Sequence, residues 1–76
     1  MKNDRDAERE IEALRECWPD EFRDGARCAL LRTFPGERER GGYPKGFHQW
    51  PLDRRNAWFS GYCVGYLERL ALEAAK

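Results

Sequence analysis

The sequence predicts a small all-α protein: a single three-helix domain over residues 1–76, with a long loop before the last helix. Three segments carry apolar residues at the spacing of an amphipathic helix, which predicts helices over about 4–17, 20–33 and 53–74. Between the second and third helices, residues 34–52 are rich in Gly, Pro, Arg and aromatic residues, which predicts a loop. A domain of this length buries about 60% of the surface that its unfolded chain exposes. We therefore expect a small core.

The first predicted helix has one apolar face, formed by Ala7, Ile11, Leu14 and Trp18. Asn3 or Asp4 can cap its start, because their short polar side chains accept hydrogen bonds from free backbone N–H groups. The helix ends before Pro19, since proline disfavours helical geometry in the residue that precedes it. Pro19 itself suits the first turn of a second helix.

The second predicted helix continues to about Thr33. Its apolar stripe consists of Phe22, Ala26, Ala29 and Leu30. Gly25 lies within it and lowers the helix propensity of the segment. Three arginines fall toward another side, which leaves the apolar stripe free to face the core.

The loop over residues 34–52 combines aromatic and basic side chains. A connection this long is uncommon in a small domain, and such loops are functional or held to the core by their own side chains. We expect Phe47 and Trp50 to fold back and enlarge the core. Aromatic rings beside guanidinium groups also suit unpaired bases, because bases stack on rings while cations hold phosphates. The residues predicted to contact nucleic acid or a partner are Arg38, Arg40, Tyr43, Lys45, His48, Arg54 and Arg55.

The third predicted helix has the widest apolar face, formed by Trp58, Phe59, Tyr62, Cys63, Tyr66, Leu67 and Leu70. Trp58 lies in the middle of the most apolar stretch, so we expect it to contact both other helices. Gly61 and Gly65 stand four residues apart on one side of the helix. They predict a close approach of the first or the second helix, because glycine has no side chain to hold a neighbour away.

Charge is unevenly distributed although fourteen basic and fourteen acidic side chains balance. Residues 1–24 carry five basic and nine acidic side chains, a net of −4, and residues 25–55 carry seven basic and three acidic, a net of +4. A net charge of zero lacks the bulk attraction typical of nucleic-acid-binding domains. The two regions can simply attract each other, or either can serve in binding.

No catalytic, metal or membrane motif is recognisable. Cys17, Cys28 and Cys63 include no C-x-x-C pair, which favours a reduced, cytoplasmic protein. His48 and these cysteines lack the short paired spacings of structural zinc sites, so we expect no metal and no cofactor. No nucleophile has a neighbouring base, so we expect no enzyme. The longest uncharged stretch, 56–67, is twelve residues, short of the roughly 20 that cross a bilayer.

One segment is similar to a known family. Residues 55–62 read Arg-Asn-Ala-Trp-Phe-Ser-Gly-Tyr after a loop rich in proline and aromatic residues. They resemble the R-x-x-W-x-x-G-W segment of the ribosome modulation factor family, within the C-terminal third of the chain. The resemblance implies a short helical protein that acts by binding. It also implies that Trp58, Gly61 and Tyr62 are structural, and that Arg54 and Arg55 lie nearest the binding surface.

Two functions are consistent with these features. The first is a non-enzymatic regulator of a ribonucleoprotein machine, a ribosome- or RNA-associated modulator that binds through the basic middle segment. The second is a phage or mobile-element inhibitor of the anti-CRISPR type, which binds a host nuclease effector complex and blocks its nucleic-acid binding. The acidic surface for this alternative consists of Glu8, Glu12 and Glu16. The sequence also allows a homodimer, because oligomerisation lets a short chain bury more apolar area. Its interface would be the exposed remainder of the third helix, at Tyr66, Leu70 and Ala74.

Overall fold

The computed structural model describes residues 4–75, except for the side chain of Asp4. The described chain forms three α-helices: α1 is Asp4–Cys17, α2 is Pro19–Leu31 and α3 is Leu52–Ala74. A short 3-10 helix, Phe47–Gln49, lies in the loop, and no strand occurs in this part of the chain. The predicted all-α fold class is therefore confirmed. The predicted cap at Asn3 or Asp4 lies outside the described residues and side chains.

The helix bounds lie close to those predicted from the sequence. α1 has the predicted bounds, and α3 begins one residue early, at Leu52. α2 begins at Pro19 and stops at Leu31, two residues before its predicted end. It stops there because Arg32 adopts the left-handed conformation, with φ 53° and ψ 37°, that ends a helix. Trp18 alone separates α1 from α2.

Helices α2 and α3 approach each other backbone to backbone. A Cβ atom placed on Gly61 would fall on the carbonyl oxygen of Phe22 and 2.8 Å from its carbonyl carbon. The carbonyl group of Ala26 occupies the same position over Gly65. The close approach predicted at these two glycines is confirmed, and α2 is the helix that approaches.

The two packed helices run in the same direction, which explains the long loop. Phe22 meets Gly61 and Ala26 meets Gly65, so residue numbers rise together along both helices. α2 has 13 residues, which corresponds to a length of about 20 Å. A connection between parallel neighbours has to return along that length. Residues 32–51 therefore cross from the end of α2 to the start of α3.

The core lies between α2, α3 and the loop. Its buried apolar residues are Phe22, Cys28, Ala29, Phe47, Ala57 and Trp58. Phe47 comes from the loop, and Trp50 packs against the same cluster while staying half-buried. The prediction that both residues fold back onto the core is confirmed. Among the described side chains of α1, none is buried.

Helix α1 packs on a different side of α3 from the loop. The cleft between α1 and α3 is lined by Ile11 and Leu14 on one wall and by Cys63 and Leu67 on the other. The contacts that the structure gives Trp58 are with α2, with the loop and with its own helix. Among the described residues, no hydrogen bond or ring contact joins Trp58 to α1, so of the two expected helix contacts the one with α2 is shown.

Candidate binding surfaces

The loop between α2 and α3 is folded by its own hydrogen bonds. Arg38 and Pro44 form an isolated antiparallel bridge. The turn between them is closed by the Gly42 amide, which donates to the carbonyl oxygen of Glu39 at 3.0 Å. Gly41 and Gly42 have φ angles of 91° and 89°, in the region that favours glycine. This hairpin-like turn positions the basic side chains of the loop.

Asp24 of α2 joins the loop to both core helices. Its two carboxylate oxygens accept hydrogen bonds from Nη1 and Nη2 of Arg38 at 2.9 and 3.0 Å. Oδ2 also accepts from the indole Nε1 of Trp58 at 2.8 Å. The Nε of Arg38 donates to the carbonyl oxygen of Pro35 at 2.8 Å, and the Arg38 side chain is only 13% exposed. Arg38, a predicted nucleic-acid contact, thus fastens the loop to α2.

The Asp24 cluster changes the titration of its members. Hydrogen bonds from Arg38 hold the pKa of Asp24 below its ordinary value, although partial burial opposes this effect. Burial raises the pKa of the Cys28 thiol, whose Sγ lies 3.8 Å from Oδ2 of Asp24. A raised pKa keeps this thiol protonated at neutral pH. A buried, protonated thiol is inert, so Cys28 is a packing residue.

We expect the Asp24 cluster to make stability depend on acidity. The folded-state pKa of Asp24 lies below its unfolded value of about 3.9. The carboxylate therefore stabilises the fold fully at pH values above the unfolded pKa, and this contribution is lost as pH falls through the folded pKa. Melting temperatures measured between neutral pH and about pH 3 should fall less steeply for Asp24→Asn than for the wild type. Glu37→Gln is the control, because its pair with Lys45 is exposed; equal slopes for all three proteins would contradict the expectation.

Arg54 lies between two indole rings at the start of α3. Its guanidinium carbon is 3.8 Å from the ring centroid of Trp50 and 5.6 Å from that of Trp18. Its Nε donates to Oε2 of Glu21 at 2.7 Å. These contacts connect the loop, the junction between α1 and α2, and α3. One N–H of Arg54 is thus used inside the protein and its guanidinium group lies against Trp50, while the side chain stays 35% exposed.

Three other predicted binding residues stay at the surface. Arg40 and His48 are exposed. Lys45 is exposed as well, and its Nζ lies 2.7 Å from Oε2 of Glu37. Exposed ion pairs contribute little to stability and are easily broken. These three side chains remain free to meet a ligand.

Tyr43 and Arg55, the last two predicted binding residues, are half-buried. The Tyr43 ring stacks on Phe47 with a centroid distance of 4.8 Å and meets the edge of His48 at 5.5 Å. The Nε of Arg55 is buried and has no hydrogen-bond partner among the described residues. The structure therefore brings Tyr43 and His48 together. It also brings Arg38, Lys45 and Arg54 to one open pocket of about 390 Å³, which carboxylates of α2 line as well.

The acidic surface predicted on the first helix is displayed on α1. Glu8, Glu12 and Glu16 are all exposed and recur every four residues. Glu12 lies 4.0 Å from Arg15, and both side chains are mostly exposed. Within residues 4–75, Glu8 and Glu16 form no ion pair. Helix α1 contains six acidic and three basic side chains, a net of −3.

A long apolar surface runs along α3. We call it the α3 strip; it consists of Phe59, Cys63, Tyr66, Leu67 and Leu70. All five side chains are exposed, Leu67 to 63%. The exposure predicted for Tyr66, Leu70 and Ala74 is confirmed. The other three strip residues belong to the face expected to pack: Phe59 does pack edge-on against Phe47 of the loop, at 5.2 Å, whereas Cys63 and Leu67 stay exposed beside α1. The apolar face of α3 is wider than α2 and the loop can cover. The width of this face in the sequence could therefore have indicated that part of it stays exposed.

The α3 strip continues into the cleft beside α1. This cleft has a volume of about 420 Å³ and is walled by Ile11 and Leu14 of α1. Glu10 of α1 also lines it. The cleft thus has apolar walls, and one of these walls is formed by the acidic helix α1.

Within the part of the chain that the structure describes, no helix is long and apolar enough to cross a bilayer. The same residues include no cluster of three or more His, Cys, Asp or Glu side chains that would hold a metal ion. Compared with known proteins, the chain matches no family model, no curated protein and no solved structure. The resemblance to the ribosome modulation factor family therefore stays a prediction.

Proposed function

We propose that this chain is a small non-enzymatic binding protein that regulates a protein–nucleic-acid machine by contacting a basic protein surface. Acidic α1 would occupy a surface that otherwise binds nucleic acid. A phage or mobile-element inhibitor of the anti-CRISPR type works in this way on a host nuclease effector complex. The observation that carries the proposal is the contrast between the exposed acidic groups of α1 and the internal hydrogen bonds of Arg38 and Arg54.

The engaged arginines support the proposal because they reduce the cationic surface that RNA would need. Arg38 is bound on both sides of its guanidinium group by Asp24 and Pro35. Arg54 is held by Glu21 and lies against Trp50. To bind a phosphate through these groups, the arginines would have to give up the internal contacts that hold the loop in place.

The acidic groups support it because they are already presented to solvent. Glu8, Glu12 and Glu16 lie along one helix, about 6 Å apart at each four-residue step. A row of exposed carboxylates gives α1 a negative face, which a basic nucleic-acid channel would attract. Charge complementarity of this kind steers association and selects partners.

A ribosome- or RNA-associated modulator is the second candidate. It is supported by Arg40, Lys45 and His48, which stay exposed in one loop, with the His48 ring against the Tyr43 ring. Exposed cations beside an aromatic ring can hold a short unpaired RNA segment. The resemblance of residues 55–62 to the ribosome modulation factor segment favours the same candidate.

Two matched triple variants distinguish the candidates: Glu8→Gln/Glu12→Gln/Glu16→Gln on α1 and Arg40→Gln/Lys45→Gln/His48→Gln in the loop. All six side chains are exposed, so each change should shift stability by no more than about 0.5 kcal/mol. The measurement is capture of partners by the tagged protein from a nuclease-treated bacterial lysate, followed, after the nuclease is washed away, by elution with duplex DNA as competitor. We expect duplex DNA to release the partner, and the α1 variant to bind on the order of tenfold more weakly while the loop variant binds normally.

The opposite pattern would support RNA binding. In that case capture would disappear on nuclease treatment, the loop variant would be the defective one, and affinity would fall steeply with salt as phosphate contacts release counterions. Normal capture by both variants would contradict both candidates.

A further inference from the structure

The α3 strip has the geometry of a surface that receives another helix. Phe59, Cys63, Tyr66 and Leu70 follow one another at intervals of four, three and four residues, the spacing of a helix-pairing seam. They span about 16 Å, or three helical turns. Leu67 widens the strip toward α1. Exposed apolar surface of this length is uncommon on small monomers and marks an interaction site.

The element that fits this strip is a helix. A peptide laid on an apolar surface loses water from its backbone N–H and C=O groups, and unpaired groups of this kind are costly to bury. A helix satisfies these groups internally. It also offers apolar side chains every three or four residues, which matches the spacing of the strip.

The charge of that helix is set by α1. Helix α1 forms one wall of the cleft into which the strip continues, and as a whole it carries a net of −3. A partner helix seated in this cleft lies next to α1 along its length. Lys and Arg at its flanks would meet carboxylates, whereas Asp and Glu would be repelled.

We infer that the α3 strip and the adjoining cleft bind an amphipathic helix of a partner protein whose apolar face is flanked by Lys and Arg. The inference rests on the proposed function for the basic character of the partner, and it names the element by which the partner is held. A second copy of this chain is a poorer occupant. Two-fold pairing through one patch brings the same surface of each subunit together, so two acidic α1 helices would approach each other.

The test uses the purified full chain and a fluorescent designed peptide of about 18 residues. The peptide carries Leu at helical spacing and Lys on both flanks, and binding is measured by fluorescence anisotropy at physiological salt. Two further peptides serve as comparisons, one with Glu in place of every Lys and one with the Lys peptide's composition in scrambled order. We expect saturable binding of the Lys peptide only.

Matched leucine variants locate the site. Leu67→Gln and Leu70→Gln change the α3 strip, and Leu31→Gln changes a leucine at the end of α2 that is 54% exposed. We expect each strip variant to bind the Lys peptide on the order of tenfold more weakly, and Leu31→Gln to bind it normally. Leu70 does not line the cleft with α1, so its variant still tests the site if Leu67→Gln loosens α1.

Three results would overturn the inference: equal binding of the Lys and Glu peptides, equal affinity of the three leucine variants, or a dimer mass by light scattering that reverts to monomer in Leu70→Gln. The dimer result would assign the strip to a second copy. The proposed function fails separately. It fails if partner capture is unaffected by the α1 triple variant, whatever the peptide does. The inference alone fails if capture depends on α1 while the peptide does not bind.

Discussion

Gly61→Ala is expected to unfold a large fraction of the protein, with a loss of about 3 kcal/mol or more in the free energy of unfolding, at the upper end of the cost of overpacking. The added Cβ would fall on the carbonyl oxygen of Phe22, which belongs to the backbone of α2 and cannot rotate away. The two helices would have to separate along their whole contact. The higher helix propensity of alanine returns only about 1 kcal/mol. Urea denaturation followed by far-ultraviolet circular dichroism measures the loss.

Gly36→Ala is the matched control for this prediction. Gly36 has φ 80° and no atom within 4 Å of the position a Cβ would take. Its substitution therefore has only the conformational cost of a left-handed residue, about 1 to 2 kcal/mol. If Gly61→Ala is as stable as Gly36→Ala, α2 and α3 are not in backbone contact at this point.

Trp58→Ala is expected to cost about 3 to 5 kcal/mol, as the removal of a core aromatic residue does. The side chain is 3% exposed and its ring lies 5.5 Å from both Tyr43 and Phe47 of the loop. Its removal leaves a cavity between α3 and the loop, and it deprives Asp24 of the indole N–H. Thermal melting should show a domain that is largely unfolded at physiological temperature, because so small a domain has only a few kcal/mol of stability.

A milder pair of variants removes the indole N–H but keeps an aromatic ring in place. Trp58→Phe and Trp18→Phe each remove one indole N–H from a carboxylate, of Asp24 and of Asp53 respectively. The contact of Trp58 is the more buried one, so its variant should melt at a clearly lower temperature than the Trp18 variant. A near-wild-type melting transition for Trp58→Ala would show that the packing described for the loop is wrong.

The candidate surfaces could be predicted only in part. The exposure of Glu8, Glu12 and Glu16 was predictable, because residues four apart share one face of a helix. The engagement of Arg38 was not, because its partner Asp24 lies 14 residues away, across the end of α2. Composition shows that a cation is present, but its availability depends on which carboxylate the fold places beside it.

The local structure follows from the order of residues alone. The spacing of apolar residues predicted the positions of the three helices. Pro19 predicted the junction between the first two, and the glycine and proline content of residues 34–52 predicted the loop. Each of these features depends on neighbours within about one helical turn, which are known from the order of residues alone. The small size of Gly61 and Gly65 also predicted that another helix would approach α3 closely.

The arrangement of the helices and the exposure of their apolar side chains depend instead on tertiary contacts. The parallel direction of α2 and α3, and with it the length of the loop, follows from contacts between residues far apart in sequence, such as Phe22 with Gly61. The same crossing decides that Trp58 is buried while Leu67, on the same broad apolar face, stays 63% exposed. Both residues are large and apolar, so composition favours the burial of each. One helix and one loop can cover only part of the circumference of α3, and their position around it selects the residues left for a partner.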